Sequence, residues 1–598
     1  MFRKKVKVLL LIYLILIFTS LSFSSTSMSD NIEPFFTLVA KTNSGGLRPD
    51  YLYLAKQQLA RIGINLDVRV SDNPWYYGDI FAFRDFDMCY VGFSGGGADP
   101  DFSGVYDENG SLNLFGYHTS MDWNETLGTG TNEWYMKQGL LIMPPNGEER
   151  VQHYWAWEQY LMDKILPCLP SFTPKYYVSN WNNLKGFDCS KGVLQSWGNM
   201  TWDGVHSGQE DTNELVIGDK AWSDLNPLFQ DDSSSSFIST AIMDPLFWYD
   251  ADLSVWPHLA ESYTMINDTY IRIKCREGIK WQEDQEGLFP DEYFDARDVY
   301  FTLYSWSHIS NNPHLYDWIK EMTIVDQYTL DIFIDGDSST LENDPYTLFL
   351  PLISVRMLPE HYLNITQLAD GITPDILHPN WNSFATQPLG TGLFELSEFT
   401  EGEETVLAVF PECWRINESI TNDPKLNWVQ RFGTFENCPE YLIIKIIYQT
   451  FYQISEFESG NIDIVDISSN TYKRIEFNSN SDFCIQNISA FGLQFFGYNM
   501  RPVRPVIGNL DLCEKDSTIT KGLAVRKAIS YAINREEIND VLHNSEYTIN
   551  HWPIYEAMGV WCNPNIIKYD YNITKAKEYM TLAGYEYSNN DTQNKNMN

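Results

Sequence analysis

The apolar positions near the beginning of the chain first alternate with polar ones and then recur at helical spacing. Residues 34–42, PFFTLVAKT, are typical of a strand, and residues 48–63 carry one apolar helical face before Gly63. Residues 64–70, INLDVRV, again alternate apolar and polar side chains, as a half-buried strand does. A strand, a helix and a strand in so short a stretch predict a βαβ unit with parallel strands and a right-handed crossover.

Similar patterns continue along the chain, except at its end. They predict a buried strand at 86–93, a polar, Gly-containing linker at 187–213, and mixed strands and helices from 214 to about 500. Near the C-terminus, ITKAKEYMTLAGY predicts a helix that Thr574 caps and Gly584 ends. An α/β domain normally continues from such a helix into a strand, but here only polar residues follow. The strand that belongs beside this helix must therefore be sought elsewhere in the chain.

The first residues, the charge and the cysteines limit where the protein acts. A basic MFRKKVK segment, an apolar VLLLIYLILIF run and the small residues after it predict that residues 1–27 are a secretory signal peptide or an N-terminal anchor.

The 598 residues, enough for two or three domains, include 41 basic and 80 acidic side chains. The net charge of −39 argues against binding to nucleic acid or anionic lipid. The nine cysteines form no CxxC pair, although Cys413 and Cys438 could close a loop as a disulfide.

No motif in the chain predicts a complete catalytic, metal or cofactor site. Residues 92–96 fit the G-x-S-x-G nucleophile elbow around Ser94, but the glycines that follow cannot start the helix that this elbow requires. Asp99 and Asp101 resemble the start of a calcium-binding loop, yet Gly110 stands where its bidentate Glu belongs. These gaps favour a binding protein over an enzyme. A secreted serine hydrolase that uses Ser94 is the alternative from another class.

The central and C-terminal parts of the chain contain six longer stretches that together match the signatures of one family. They are LVIGDKAWSDLNPL (215–228), WPHLAESYTMINDTYIRIKCREGIKWQ (256–282), FDARDVYFTL (294–303), PLGTGLFELSEFTEGEETVLAVFPECW (388–414), FESGNIDIV (457–465) and VRKAISYAINREEI (525–538). In order and spacing, over about 214–585, they resemble the extracellular solute-binding proteins of the peptide/nickel class, family 5, which feed ATP-driven importers. Most of these positions read as core or as turns, so the signatures identify a fold without marking a pocket. The resemblance implies an α/β fold with two lobes, periplasmic-binding-protein-like and of type II, with an extra subdomain over about 250–385.

The resemblance also bears on the order of the segments. In that family a helix ending in AGY is followed by a strand, a helix, an alternating strand, another strand and an aspartate-rich loop. Residues 34–187 supply those pieces in that order, but at the beginning of this chain. This implies a circular permutation, in which lobe two is built from both chain ends. The expected parts are lobe two from 34–175 and 501–590, a linker of the old termini at 176–213, and lobe one at 214–500. A fragment of a tandem gene is the alternative.

The resemblance implies a ligand site in the cleft between the lobes, which closes because a ligand that bridges both lobes binds the closed form better. Positions carried over from the family are Asp231 on the wall of lobe one, and Trp75 and Phe93 on lobe two. The family's peptide binders use an aspartate to pair with the peptide amino terminus. Asp99 matches that aspartate only if a gap for three glycines is allowed, so recognition of an amine is an open question.

The implied ligand is a short peptide, with oligosaccharides and nickel chelates as alternatives. We expect a monomer without cofactor, metal or enzymatic activity, which delivers its ligand to a membrane ABC permease and binds no nucleic acid. It would act outside the cell or at its surface, free or tethered by its N-terminus. A structural or adhesion protein of the cell surface is the remaining alternative, and it would show no ligand-dependent change in melting temperature.

Overall fold

Residues 32–95, 97 and 99–587 are described by the computed structural model, so the signal segment predicted at 1–27 lies outside the described residues. Their strands of three or more residues are, in chain order, β1 (Phe36–Asn43), β2 (Ile64–Ser71), β3 (Met88–Ser94), β4 (Cys168–Pro170), β5 (Lys175–Trp181), β6 (Glu214–Asp219), β7 (Phe247–Tyr249), β8 (Val255–Pro257), β9 (Ala260–Asn267), β10 (Tyr270–Cys275), β11 (Ile319–Asp326), β12 (Thr329–Ile334), β13 (Phe394–Thr400), β14 (Glu404–Val409), β15 (Tyr441–Ile446), β16 (Ile464–Asp466), β17 (Phe483–Ser489), β18 (Gly492–Tyr498) and β19 (Asp516–Thr520). Their α-helices of eight or more residues are α1 (Arg48–Ala60), α2 (Thr131–Gly139), α3 (Glu148–Tyr160), α4 (Ser233–Ile242), α5 (Ala296–His308), α6 (Thr450–Glu458), α7 (Thr471–Asn478), α8 (Lys521–Ala532), α9 (Arg535–His543) and α10 (Ile573–Leu582). Within this part of the chain, no helix combines the length and the apolar composition that crossing a bilayer requires.

The predicted βαβ unit is confirmed and forms one edge of a five-stranded sheet, in the order β2-β1-β3-β18-β4. β1 and β2 pair in parallel, with Phe36 opposite Ile64. Between them, α1 begins with a proline in its first turn and buries Leu52, Ala55 and Leu59 against the sheet. β3 is parallel to β1, whereas β18 is antiparallel to β3. This sheet is the centre of lobe two.

Lobe two is built from both chain ends, as the resemblance implied. Helix α10, capped by Asn572 rather than by Thr574, packs on α8, and both share one buried core with β1 and α1. The ring of Phe35 lies 5.3 Å from that of Tyr587, whose hydroxyl donates a hydrogen bond to the Ile62 carbonyl at 3.0 Å. The strand that belongs beside the C-terminal helix is therefore supplied by the beginning of the chain.

Lobe one has a seven-stranded sheet in the order β13-β14-β15-β6-β16-β5-β17. β6 pairs in parallel with both β15 and β16, and antiparallel strands complete both sides. A four-stranded antiparallel sheet, β9-β10-β12-β11, forms the extra subdomain. The stretch expected as a linker, 176–213, includes most of β5, which lies inside the lobe-one sheet. The remainder packs on this sheet through a small hairpin and Trp197.

The chain crosses between the lobes twice, near residues 171–174 and 490–491. The two crossings are hydrogen-bonded to each other, since the Ala490 amide donates to the Pro174 carbonyl at 2.8 Å and the Ser171 amide to the Gln494 carbonyl at 2.8 Å. β18 already belongs to lobe two, so the chain returns to that lobe before residue 500. Two adjacent strand-like segments of this kind form a hinge about which two lobes can rotate.

Candidate functional site

The parallel strands of both lobes direct their carboxyl ends at the hinge. β3 ends at Ser94, which pairs with Gly492 directly after one crossing. β16 ends at Asp466, which pairs with Val178 near the start of β5 and the other crossing. The strands parallel to these two, β1 in lobe two and β6 and β15 in lobe one, end on the same side. Open α/β sheets bind ligands beyond the carboxyl ends of their strands, so the crevice between the lobes is the candidate site.

Exposed aromatic rings lie at these carboxyl edges in both lobes. On lobe two, Trp75 follows β2 in a short helix and is 76% exposed. On lobe one, Tyr448 and Phe451 follow β15 and are 63% and 69% exposed. Leaving such large rings in water forgoes the free energy of burial, which marks them as candidates for ligand contact. Of these three residues, only Trp75 was predicted from the resemblance, although the aromatic-rich run YQTFY directly after a strand also indicates exposed rings at this edge.

Asp231 and Phe93 have different surroundings. Asp231 is exposed and immediately precedes Asp232, whose carboxylate accepts the Ser235 amide at 2.7 Å and caps α4. Phe93 is half-buried in β3 with its ring 5.3 Å from that of Phe495, and therefore takes part in the packing of lobe two. Among the described residues, no hydrogen bond or ring contact joins Asp231, Trp75, Phe93 and Asp99 directly to one another. Their place in the site stays a prediction.

Asp99 is held by an arginine that no sequence motif indicates. Arg150, fully buried in α3, donates two hydrogen bonds to the two carboxylate oxygens of Asp99, at 2.7 and 2.8 Å. The other donors of the guanidinium reach the carbonyls of Gly139 and Pro145. The positive charge of a buried arginine compensates the negative charge of a carboxylate that it binds through two hydrogen bonds. The geometry thus gives Asp99 a partner inside the protein, and the amine of a ligand would have to compete with it.

Hydrogen bonds within the acidic loop around Asp99 stabilise its conformation. Asp101 accepts the Ser103 amide at 3.0 Å and the Ser103 hydroxyl at 2.9 Å, which is a turn stabilised by an aspartate. Burial raises the pKa of the Asp101 carboxyl above its ordinary value. In the described part of the chain, no three His, Cys, Asp or Glu side chains are grouped so that they could hold a metal ion.

Ser94 lacks the partners of a nucleophile. It is exposed at the end of β3, and the next helix, Ser103–Tyr106, begins too late to form the elbow. Across residues 32–587, with 96 and 98 set aside, no histidine is hydrogen-bonded to Ser94. The disulfide considered between Cys413 and Cys438 is absent, because all nine cysteines are free thiols and Cys413 is buried against the Thr391 carbonyl.

The lobes touch each other beside the crevice through apolar contacts, in which Leu253 and Met143 each pack against the core of the other lobe, and through two polar contacts. Thr347 of the subdomain donates its amide to the Leu140 carbonyl of lobe two at 2.9 Å. Near the hinge, Arg474 of α7 forms a 2.7 Å ion pair with Glu546 of lobe two, and its guanidinium lies 4.3 Å above the ring of Tyr177 in β5. The polar contacts can break and re-form as the lobes rotate about the hinge, which is how two-lobed proteins open and close.

Comparison with known proteins gives one family for this fold. The model of the bacterial extracellular solute-binding proteins, family 5 Middle, matches residues 254–597, more than half of the chain. The oligopeptide-binding protein AppA of Bacillus subtilis (strain 168) is 23% identical over 388 residues, which cover 63% of this chain and 60% of AppA. The glutathione-binding protein GsiB of Shigella flexneri serotype 5b (strain 8401) is 22% identical over 370 residues, 60% of this chain and 59% of GsiB. The chain thus spans about 60% of the length of these two relatives.

The chain is also similar to a solved structure. The structure of NikZ from Campylobacter jejuni in complex with Ni(L-His) is 21% identical, covers 64% of this chain and 65% of its own, and has a TM-score of 0.38.

Proposed function

Because the chain belongs to the bacterial extracellular solute-binding proteins of family 5, we propose that it captures a solute between its two lobes and delivers it to an ABC-type importer. The observation that carries this proposal is the two-segment hinge, with the carboxyl ends of the parallel strands of both lobes directed at it. A ligand that contacts both walls binds the closed form more tightly than the open one, and so shifts the population towards closure. An importer can then distinguish the loaded protein from the empty one by its shape.

The ligand proposed is a short peptide. The aromatic rings at both edges offer flat apolar surfaces, which stack on peptide planes and on apolar side chains. The relatives are named for an oligopeptide and for glutathione, a short peptide, whereas NikZ holds a nickel–histidine complex. Since the same rings can stack on sugar faces, an oligosaccharide is the second candidate, and a nickel chelate is the third.

The setting of the protein is part of the same proposal. The family is extracellular by its description, and we propose that residues 1–27 export this chain and leave it free or tethered outside the cell. A monomer that meets a membrane permease suffices for the task. No nucleic acid is expected as a partner, since the net charge is −39.

The order of the segments is proposed to result from circular permutation. β1, β2, β3 and β4 precede the matched range 254–597, yet they supply four of the five strands in the lobe-two sheet. The fifth strand, β18, and helices α8 and α10 come from within the matched range. The ring contact between Phe35 and Tyr587 brings the two described ends of the chain side by side, where a short connection would join them.

A ligand screen tests the function. The full chain is heated with pools of short peptides, of oligosaccharides and of nickel with histidine, while intrinsic fluorescence reports on its 19 tryptophans. Ligand binding to the folded state stabilises it by about 2.7 kcal/mol at a concentration one hundred times Kd, so the correct pool raises the melting temperature by several degrees. A protein that no pool stabilises, and whose fluorescence no pool changes, would not have this function.

A further inference from the structure

A second recess lies at the end of lobe two that points away from the hinge. β3 begins at Met88 and β18 ends at Tyr498, and these two residues pair at the opposite end of the ladder from Ser94 and Gly492. The loops around Met88 and Tyr498, together with residues 108–121, enclose a cavity of about 740 Å³. This cavity opens on the outer end of lobe two and is separate from the crevice between the lobes.

The loop over this recess is shaped around the side chain of Arg501. The guanidinium donates to the carbonyls of Leu114 and Asn113, at 2.8 and 3.2 Å. Gly116 has a φ of +73°, and a β-carbon at this position would lie 2.3 Å from the Arg501 side chain, so only glycine allows the chain to pass so closely. The amides of Gly116 and Tyr117 are fixed by the Asn113 side chain. Arg501 is therefore held in place at the wall of the recess.

Two guanidinium groups face the recess without an acidic partner. Among the described residues, no carboxylate lies within salt-bridge distance of Arg84 or Arg501. Burial, and then the positive charges of Arg84 and Arg504, lower the pKa of Arg501 to about 10. The one carboxylate that lines the recess, Glu108, accepts the amide and hydroxyl of Thr119 at 3.0 and 2.8 Å and pairs with His118 at 3.0 Å. The positive charge of the two arginines is thus left unneutralised.

We propose that this recess binds a small soluble anion, a carboxylate or a phosphate, between Arg84 and Arg501. Arginine presents paired N–H donors that match both kinds of oxyanion. The hydroxyl of Ser111 also lines the recess and can add a hydrogen bond to the anion. Binding here is independent of the ligand of the crevice, because the two sites lie at opposite ends of the lobe-two sheet.

Calorimetric titration of the full chain with citrate and with inorganic phosphate tests the site, with chloride held constant. The wild type should bind at least one of these anions at millimolar concentration or tighter, and Arg84→Gln should weaken it about tenfold or more, since a charge-assisted hydrogen bond is lost. Arg61→Gln is the matched control, because Arg61 is an exposed arginine of the same lobe outside the recess. Arg501→Lys keeps the positive charge and should retain part of the affinity for the anion. It is the variant to use at this position because a variant without the charge could fail to fold. Absence of binding, or equal affinities in R84Q and R61Q, would overturn the proposal.

Two further measurements locate the anion. Citrate should protect Arg84, but not Arg61, from modification by phenylglyoxal, as measured by mass spectrometry. Trp75→Ala, at the edge of the crevice, should leave citrate binding unchanged, and a loss in that variant would place the anion in the crevice instead. Sedimentation with vesicles of phosphatidylglycerol, compared with vesicles of phosphatidylcholine, distinguishes a lipid headgroup from a free anion as the ligand. Sedimentation with the former and no binding of citrate or phosphate would refute a site for soluble anions.

Discussion

The buried ionic cluster of lobe one and the exposed edge of the crevice differ in what the sequence reveals about them. Asp244 lies at the centre of the cluster, with no exposed surface, and accepts hydrogen bonds from His258 at 2.9 Å, Trp414 at 2.8 Å and Thr391 at 3.1 Å. Arg415 donates to the same carboxylate. His258, Thr391 and Trp414 all stand in the stretches by which the family was first identified.

The exposed residues at the edge of the crevice, in contrast, carry no family signature. Trp75, Tyr448 and Phe451 stand outside every one of those stretches, in segments that directly follow strands. A buried network must be satisfied in full, so it fixes several residues that are far apart in the sequence. A wall that contacts ligand varies with the ligand, so it leaves no shared pattern. Residues inside the signature stretches therefore reveal the fold of this protein, whereas its ligand specificity depends on residues outside them.

The largest effect expected from this contrast is on stability. Asp244→Asn leaves Arg415 buried without its counter-charge, and breaking a buried pair in this way costs about 3–5 kcal/mol. The same substitution at exposed Asp231 should change the free energy of unfolding by less than about 0.5 kcal/mol. Urea unfolding followed by circular dichroism compares the two variants. Equal stabilities would show that the cluster is not the structural centre described here.

The second prediction concerns pH. Burial lowers the pKa of His258 from 6.5 to about 4, so the folded protein keeps this ring neutral while the unfolded chain protonates it. The stability due to His258 is present above pH 6.5 and is lost as the pH falls towards 4, by up to roughly 3 kcal/mol. Relative to the wild type, His258→Gln should therefore lose less stability between pH 6.5 and 4. Parallel pH profiles for the two proteins would contradict the neutral, buried ring.

The third prediction concerns the exposed rings at the edge of the crevice. Trp75→Ala and Tyr448→Ala each remove one exposed ring from a wall of the crevice and should weaken the ligand found in the screen about tenfold, while stability changes little. Trp123→Ala is the matched control, since Trp123 is a 56% exposed tryptophan of lobe two in a separate small hairpin. Titration by calorimetry measures all three. If W123A loses as much affinity as W75A, the rings do not line the ligand site.

The smallest effect is expected at the contact between the lobes. The pair of Arg474 and Glu546 is partly exposed, and such pairs contribute about 0.5–1 kcal/mol. Arg474→Gln should shift the balance of open and closed forms by that amount and enlarge the radius of gyration without ligand. Glu546→Gln should do the same, and the double variant should add little to either single change. Additive effects in small-angle scattering would show that the two residues act separately.

Elements with local patterns could be predicted from the sequence, and those set by distant contacts could not. The βαβ unit follows from alternation and helical spacing within 34–70. The joining of both chain ends is implied by the family resemblance, which supplies the strand that the C-terminal helix lacks. The pairing of Arg150 with Asp99 spans 51 residues and has no local signal. The linker expected at 176–213 includes most of β5, whose place in the sheet depends on pairing with β16 and β17, strands far along the chain. The hinge depends on the same long-range pairing.

The most direct test of the whole account is a reordered chain. It would begin at Thr212, run to Tyr587, continue through a short Gly/Ser connection into Ile32, and end at Asp211, since residues 210–213 are exposed and Phe35 already touches Tyr587. The account predicts a folded protein with the melting temperature of the original within a few degrees and the same response to ligand. A reordered chain that aggregates, or that melts as two independent halves, would contradict a second lobe made from both ends.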